Sequence, residues 1–409
     1  MNLELRLTST LSALRTNVAL RRTMGYYLLF FCLGLNVAVL GPTLPALADQ
    51  THAALGQMGL VFLAGSVGYT LGTAIGGRVF DRVQGHPVLG LAQLGVAALI
   101  VLIPAVPWFW VLLAVLACKG FAEGLVSTGA NTLLVWTHKD KVGPYMNGLH
   151  FCFGLGAFLA PVLVAQLVGV ASGYRYAYGA LAVIAALVGL RLLTLSASPQ
   201  TTHPRGQDTG EVGKDRIHYP LVIAAALFLF FYVGAEISFG GWVYTYAVTL
   251  KLASAAEAAY LTSGFWLSFT IGRLISIPLA IRFTPKQIIL AALPGCLAIL
   301  VLAIILPSSI WVLWIMALGL GFCMAPIWPT GFTLAGQSFK LTAQASGIIL
   351  LGDSLGGMVL PSTVGQVIEA TGPQAMVYLV FSSLVLNLLA FAGMLRARPA
   401  TPAALHKVA

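Results

Sequence analysis

The chain has 409 residues, 59% of them hydrophobic and only 8% charged, with a mean hydropathy of +0.92 and a formal net charge of +10. Soluble domains carry about 25% charged residues, so a soluble enzyme or signalling domain is excluded. The apolar stretches are unbroken rather than alternating, which excludes a β-barrel, and the basic residues are distributed over loops, which argues against a nucleic-acid partner.

Residues 1–23 read as a cytoplasmic N-terminal segment. Arg6, Arg15, Arg21 and Arg22 lie there without an apolar core of signal-peptide length. Leu3, Leu5, Leu7, Leu11 and Leu14 give it a loose apolar face, suited to lying along a membrane surface or to a partly ordered tail. Six apolar spans follow, at 24–48, 55–79, 87–105, 109–136, 145–169 and 175–194, forming an N-terminal six-helix bundle over 24–195. A polar linker, 196–218, separates them from spans at 219–249, 257–281, 287–306, 309–336, 342–368 and 374–395, a second six-helix bundle over 219–395. A tail covers 396–409. About 20 residues cross a bilayer, so each span is long enough. The five cysteines (32, 118, 152, 296 and 323) fall inside these runs, at no metal-ligand spacing, and read as small core residues.

Charge orients the chain. With the N-terminus inside, all but four of the 22 Lys and Arg fall in cytoplasmic segments. Arg175 and Lys251 lie on the opposite side, and Lys119 and Arg273 lie within spans. This asymmetry places both termini in the cytoplasm. The lack of a signal or long extension suits a bacterial inner (plasma) membrane, and a monomer is expected.

The two halves repeat. At a shift of 200, Leu29-Phe30-Phe31 meets Leu229-Phe230-Phe231, and Gly34, Gly72 and Gly156 meet Gly234, Gly272 and Gly356. Pro161 meets Pro361; at a shift of 201, Gly120-Phe121 meets Gly321-Phe322. Each repeat has an even number of spans, so the repeats are parallel and related by an axis along the membrane normal, with a site between them near the midplane. The expected fold is an all-α membrane protein of twelve transmembrane helices in two pseudo-symmetric six-helix bundles.

These features resemble the major facilitator superfamily. The loop Gly77-Arg78-Val79-Phe80-Asp81-Arg82-Val83-Gln84-Gly85 is similar to that superfamily's Gly-x-x-x-Asp-Arg-x-Gly signature, with one extra residue before Gly85 and His86-Pro87 in place of the usual basic pair. The resemblance implies a cytoplasmic charge lock at Asp81 and Arg82, with Arg273 counted at the same gate. Within the superfamily, Tyr232-Val233-Gly234-Ala235-Glu236 resembles the fucose permease and sodium-dependent glucose transporter branch. Ser127-Thr128-Gly129-Ala130-Asn131, Leu149-His150-Phe151 through Pro161, and Gly352-Asp353-Ser354-Leu355-Gly356-Gly357 through Pro361 do so as well. That branch often carries a carboxylate just before Thr-Gly-x-Asn. Here Ser127 takes that position and Glu123 stands one turn earlier.

Ionised groups inside a membrane cost on the order of 2.5–3.5 kcal/mol each, so those present must pair, titrate or face water. Lys119, Glu123, Ser127 and Asn131 recur every four residues along span 4, a polar stripe roughly 18 Å long. It is expected to line a cavity and bind substrate; the competing reading for Lys119 and Glu123 is a structural ion pair. Span 10 offers Leu320, Met324, Trp328 and Phe332 at the equivalent positions, and span 7 adds Trp242 and Tyr244. A sugar has hydroxyl edges and apolar C–H faces, so a polar wall facing a Trp plate fits it. For Trp108, Trp110 and Trp311, at span ends, the interface-anchor reading is preferred.

Glu236 is the first candidate for ion coupling, followed by Glu123 and Asp353. Asn36, a further substrate candidate, occupies the position equivalent to Glu236 in span 1. For Asp353 a salt bridge with Arg273 is the alternative. Pro326 and Pro329 flank Trp328 and predict a bend in span 10, either a gate or a static kink.

No metal cluster, catalytic constellation or phosphate loop is present in the sequence, so no enzyme and no cofactor is expected beyond Na⁺ or H⁺ as coupling ion. The reading is a secondary transporter of a small polar solute, a monosaccharide first, by alternating access. The alternatives are an exporter of amphiphilic compounds or organic anions, and a facilitated sugar uniporter. A transport-dead sensor would need a signalling appendage, and the tails and linker are short.

Overall fold

The computed structural model describes residues 18–195, 218–338 and 343–397. The N-terminal stretch expected either to lie along the membrane surface or to form a partly ordered tail, most of the polar linker, Lys340 and the end of the tail lie outside the described residues. Among the described residues, twelve helices are long and apolar enough to cross a membrane. Spans 1 to 6 are Val18–Ala38, Gly59–Phe80, Gly85–Ala105, Phe109–His138, Val142–Leu167 and Gly173–Leu193. Spans 7 to 12 are Tyr219–Thr249, Ala255–Arg282, Pro285–Ile305, Ile310–Gln337, Gln344–Thr371 and Ala375–Arg396.

Local chemistry sets several helix ends. Ser254 and Glu257 form a reciprocal capping box that opens span 8, and Thr284 and Gln287 form another that opens span 9, with Pro285 at the first helical position. Each box satisfies two backbone donors that the helix itself leaves free. Span 11 ends at Gly372, whose φ of 98° and N–H to the Ile368 carbonyl (2.9 Å) need a residue without a Cβ.

Two spans are broken, and proline explains both. The expected first span, 24–48, is two helical pieces, Val18–Ala38 and Leu40–Thr51. Pro42 has no N–H to bond the Ala38 carbonyl, so the ladder lapses there. Span 10 divides into Ile310–Met324 and Ile327–Ser338 around Pro326, where the bend was expected. The Tyr232 hydroxyl of span 7 donates to the Met324 carbonyl at 2.8 Å and so occupies an acceptor at the break.

Packing reproduces the repeat. Span 2 packs on span 4, span 1 on span 5 and span 3 on span 6; spans 8 and 10, 7 and 11, and 9 and 12 pair in the same way. A Cβ at Gly120 would strike the backbone carbonyl of Gly65, and one at Gly321 would strike that of Phe265. These are equivalent crossings in the two halves, each requiring a small residue for close helix approach. Of the cysteines, only Cys32 and Cys296 are buried; Cys118 is exposed and Cys152 and Cys323 are half-buried, so the expectation that all five are core residues holds for two. Helix contact leaves one face of a span outward, and a small thiol is tolerated there.

The halves meet through span 5 on span 8 and span 2 on span 11. Three hydrogen bonds join them at the end away from the basic loops. Ser362 Oγ donates to the Gly59 carbonyl (2.9 Å), Ser263 Oγ to the Phe158 carbonyl (2.7 Å) and Gln166 Nε2 to the Tyr260 hydroxyl (2.5 Å). The Glu369 carboxylate packs on Gly56, where span 2 begins, beside a hollow of ≈ 330 Å³ lined by Gln57, Leu60 and Gln366. A carboxylate at a helix start is favoured by the helix dipole. At the basic end Arg78, Asp81 and Arg82 are exposed. The bundle is shut at the end away from its basic loops.

Candidate functional site

Span 4 supplies one wall. Lys119 Nζ lies 2.8 Å from both Oε1 and Oε2 of Glu123, and both residues are buried. The i,i+4 spacing sets this pairing, so the two charges compensate each other within one helix. One turn on, Ser127 Oγ accepts a hydrogen bond from the Tyr69 hydroxyl of span 2 at 2.8 Å. Asn131 Nδ2 donates to the Ser127 carbonyl at 2.9 Å. Ser127 and Asn131 are half-buried, more open than the ion pair above them.

A second group comes from the C-terminal half. Trp328, on the second piece of span 10, donates its indole N–H to Asp353 Oδ1 of span 11 at 2.6 Å. Its ring stacks on Phe332, with centroids 5.6 Å apart and planes 2° from parallel. Trp328 and Phe332 remain half-buried, whereas Leu320 and Met324 are fully buried in the core of their own half. The aromatic wall is therefore confined to the piece of span 10 beyond the break.

Charge links the walls. Asp353 and Glu123 both lie within Coulombic reach of Tyr69. Arg273 of span 8 acts on both Glu236 and Asp353. It forms no contact ion pair among the described residues. Its guanidinium lies 4.5 Å from the Phe269 ring centroid, and its buried Nε has no hydrogen-bond partner. The alternative expectation of an Asp353–Arg273 salt bridge is thus replaced by the Trp328–Asp353 hydrogen bond, because the bend at Pro326 carries the indole to the carboxylate. Glu236 is buried on span 7, one turn beyond Tyr232. Asn36 is buried on span 1, and its Nδ2 has no hydrogen-bond partner.

Four sequence candidates stand apart from this group. Trp242 is wholly buried, its indole N–H donating to the Pro361 carbonyl at 3.0 Å and its ring packing 6.0 Å from Phe62. Tyr244, two residues along, is buried too. Both sit towards the shut end, and neither offers a face to the half-buried region in this conformation. Asp81 and Arg82 are exposed and make no ion pair among the described residues, so the charge lock is not closed here. A lock at one end is expected to part when the bundle is shut at the other.

Tyr69 and Tyr232 were not among the sequence candidates. Tyr69 lies in a Gly-rich run of span 2, and only the register of spans 2 and 4 reveals its partner. Tyr232 was legible as part of a motif but not as the donor that holds the span 10 break.

The superfamily model described as Major Facilitator Superfamily matches residues 26–361. The chain belongs to the major facilitator superfamily. It is therefore a multi-pass integral membrane protein and a transporter of small molecules, not an enzyme. The resemblance to the glucose transporter branch also holds. Sodium-dependent glucose transporter 1A of Mus musculus is 30% identical over 372 residues, covering 83% of this chain and 88% of the mouse protein. Sodium-dependent glucose transporter 1 of Xenopus laevis is 29% identical, covering 80% and 72% of the two chains. Among solved structures, a D-xylose–proton symporter superposes with a TM-score of 0.76 at 16% identity, over 93% of this chain and 97% of that one. The nucleoside transporter NupG does so at 0.74 and 16% identity, over 93% and 99%. These likenesses establish the twelve-helix fold.

Proposed function

We propose that the protein takes up a monosaccharide by alternating access, coupled to Na⁺ or H⁺. Its site is the region between the span 4 stripe and the Trp328–Phe332 stack. The observation that carries this reading is the chemical difference between the two walls. Ser127, Asn131 and Tyr69 offer donors and acceptors to hydroxyl groups, and the half-buried indole of Trp328 offers a plate to a C–H face. The mouse relative, named for sodium-dependent glucose transport, supports the same substrate class.

In this reading Glu236 is the first coupling carboxylate and Asp353 the second, while Glu123 serves the wall through Lys119. The basic loops face the cytoplasm of a bacterial plasma membrane, the termini lie on that side, and the monomer is the working unit. The conformation is then closed outward. A second reading, export of an organic anion, is favoured by one observation: the Arg273 guanidinium has no contact carboxylate.

Radiolabelled hexose uptake into proteoliposomes, competed by unlabelled hexoses, organic anions and amphiphiles, tests the substrate class. Hexose competition and loss of uptake in Asn131→Leu are expected. Inhibition by anions or amphiphiles alone, with Asn131→Leu still active, would move the assignment to the exporter.

A further inference from the structure

We infer that Asp353 is a positioning residue that couples cation occupancy to the orientation of Trp328, and so to sugar binding. This rests on the sugar-symport reading above and specifies its coupling step. Three observations on spans 10 and 11 carry it.

First, Trp328 stands two residues beyond Pro326, on a helical piece of its own, Ile327–Ser338. The backbone ladder that fixes side chains on an unbroken span is interrupted just before it. Its orientation therefore depends on side-chain contacts, and two are present: the stack on Phe332 and the hydrogen bond to Asp353. Second, the Asp353 bond is directed and short, 2.6 Å from indole N–H to Oδ1. A hydrogen bond to an ionised carboxylate is roughly twice as strong as one between neutral groups. Neutralising the carboxylate therefore weakens the hold on the ring. Third, Asp353 has no contact ion pair among the described residues, unlike Glu123, whose two oxygens both face Lys119 Nζ. Its charge is left for a mobile cation.

Trp328 on span 10 contacts Asp353, and the charged or titratable groups within electrostatic range of it are Arg273 on span 8, Glu236 on span 7 and Tyr69 on span 2. Arg273 is the only cation among them, set against two carboxylates, so the local balance still admits one added positive charge. A proton or Na⁺ at Asp353 relaxes the indole hydrogen bond and lets the ring turn its face to a sugar. By reciprocity, a sugar stacked on that face raises cation affinity by the same factor. That reciprocal dependence is what symport requires.

Two substitutions test this without removing the plate. Trp328→Phe keeps an aromatic face and deletes the N–H; Asp353→Asn keeps an acceptor oxygen and deletes the charge. In the wild-type chain the hexose KM is expected to fall by a factor on the order of 5 or more as the coupling cation is raised, Na⁺ and H⁺ being varied separately. In either variant hexose affinity is expected to fall, because Trp328 belongs to the binding wall, but the KM that remains is expected to be independent of the cation, and the double variant is expected to match the singles in that independence. A purely structural role would lower folded yield or maximal rate and leave the cation dependence of KM intact.

A second arm needs no sugar. Tryptophan emission of the purified wild-type protein should change on cation titration, and that change should be lost in Trp328→Phe and in Asp353→Asn. Cation-dependent KM in Trp328→Phe, or an emission change that survives in it, would overturn the link. Failure of the wild-type chain to move hexose would count against the sugar reading alone, because the emission arm still judges whether Asp353 controls Trp328.

Discussion

Spans 4 and 10 occupy equivalent places in the two halves and solve the same packing problem, yet they differ in every respect that matters for transport. Each crosses its partner on a glycine, Gly120 against Gly65 and Gly321 against Phe265. Span 4 runs unbroken from Phe109 to His138 and carries its charges pre-paired, Lys119 to Glu123. Span 10 is cut at Pro326, and its polar ties at the cut run to other spans, from the Met324 carbonyl to Tyr232 and from Trp328 to Asp353. The fold fixes where a wall stands; the side chains and one proline decide whether that wall is rigid and polar or jointed and aromatic.

The largest effect should come from disturbing the rigid wall. Lys119→Met leaves Glu123 buried without a partner, and removing one member of a buried pair costs about 3–5 kcal/mol. A large drop in thermal stability in detergent is expected, with substantial recovery on adding Glu123→Leu. Equal stability of the single variant and the wild-type chain would mean that Glu123 is not held by Lys119.

The joint should respond next. Pro326→Ala restores a backbone donor where the ladder lapses, and straightening a hinge changes kcat and KM together, here on the order of tenfold in transport rate. An unchanged rate would make the bend static.

A smaller effect is expected at the shut end, which the comparison treats as the counterpart of the joint. Ser263→Ala and Ser362→Ala each remove one hydrogen bond between the halves, worth about 1 kcal/mol, or roughly fivefold in the open-to-shut ratio. Ser238 is buried on span 7, and thiol labelling of a cysteine introduced there, in a chain otherwise free of cysteine and from the side away from the basic loops, should rise accordingly. Smallest of all is Trp311→Ala. This ring is 77% exposed at a span end, and its loss should shift stability by no more than about 0.5 kcal/mol.

The contrast also marks what sequence alone made legible. Apolar runs place all twelve spans, because lipid leaves no other way to satisfy the backbone. The Lys119–Glu123 pair is legible too, since i,i+4 neighbours on one helix meet whatever the tertiary fold. The break after Ala38 went unread although Pro42 was visible, because the run around it stays apolar. Tyr69–Ser127 and Trp328–Asp353 could not be read, because each depends on how one helix rotates and slides against another. Depth along the membrane paired Asp353 with Arg273; the kink at Pro326 delivered Trp328 to it instead. Trp242 was a similar case: its span position was right, but burial against Pro361 and Phe62 follows from closure of the halves.

The most direct test of the account is radiolabelled hexose uptake into proteoliposomes under an imposed Na⁺ gradient, an imposed pH gradient, or neither, with Glu236→Gln and empty liposomes alongside. The account predicts saturable uptake that one gradient accelerates and that loses the acceleration in Glu236→Gln. Saturable uptake indifferent to both gradients would contradict coupling and return the buried acids to structural roles.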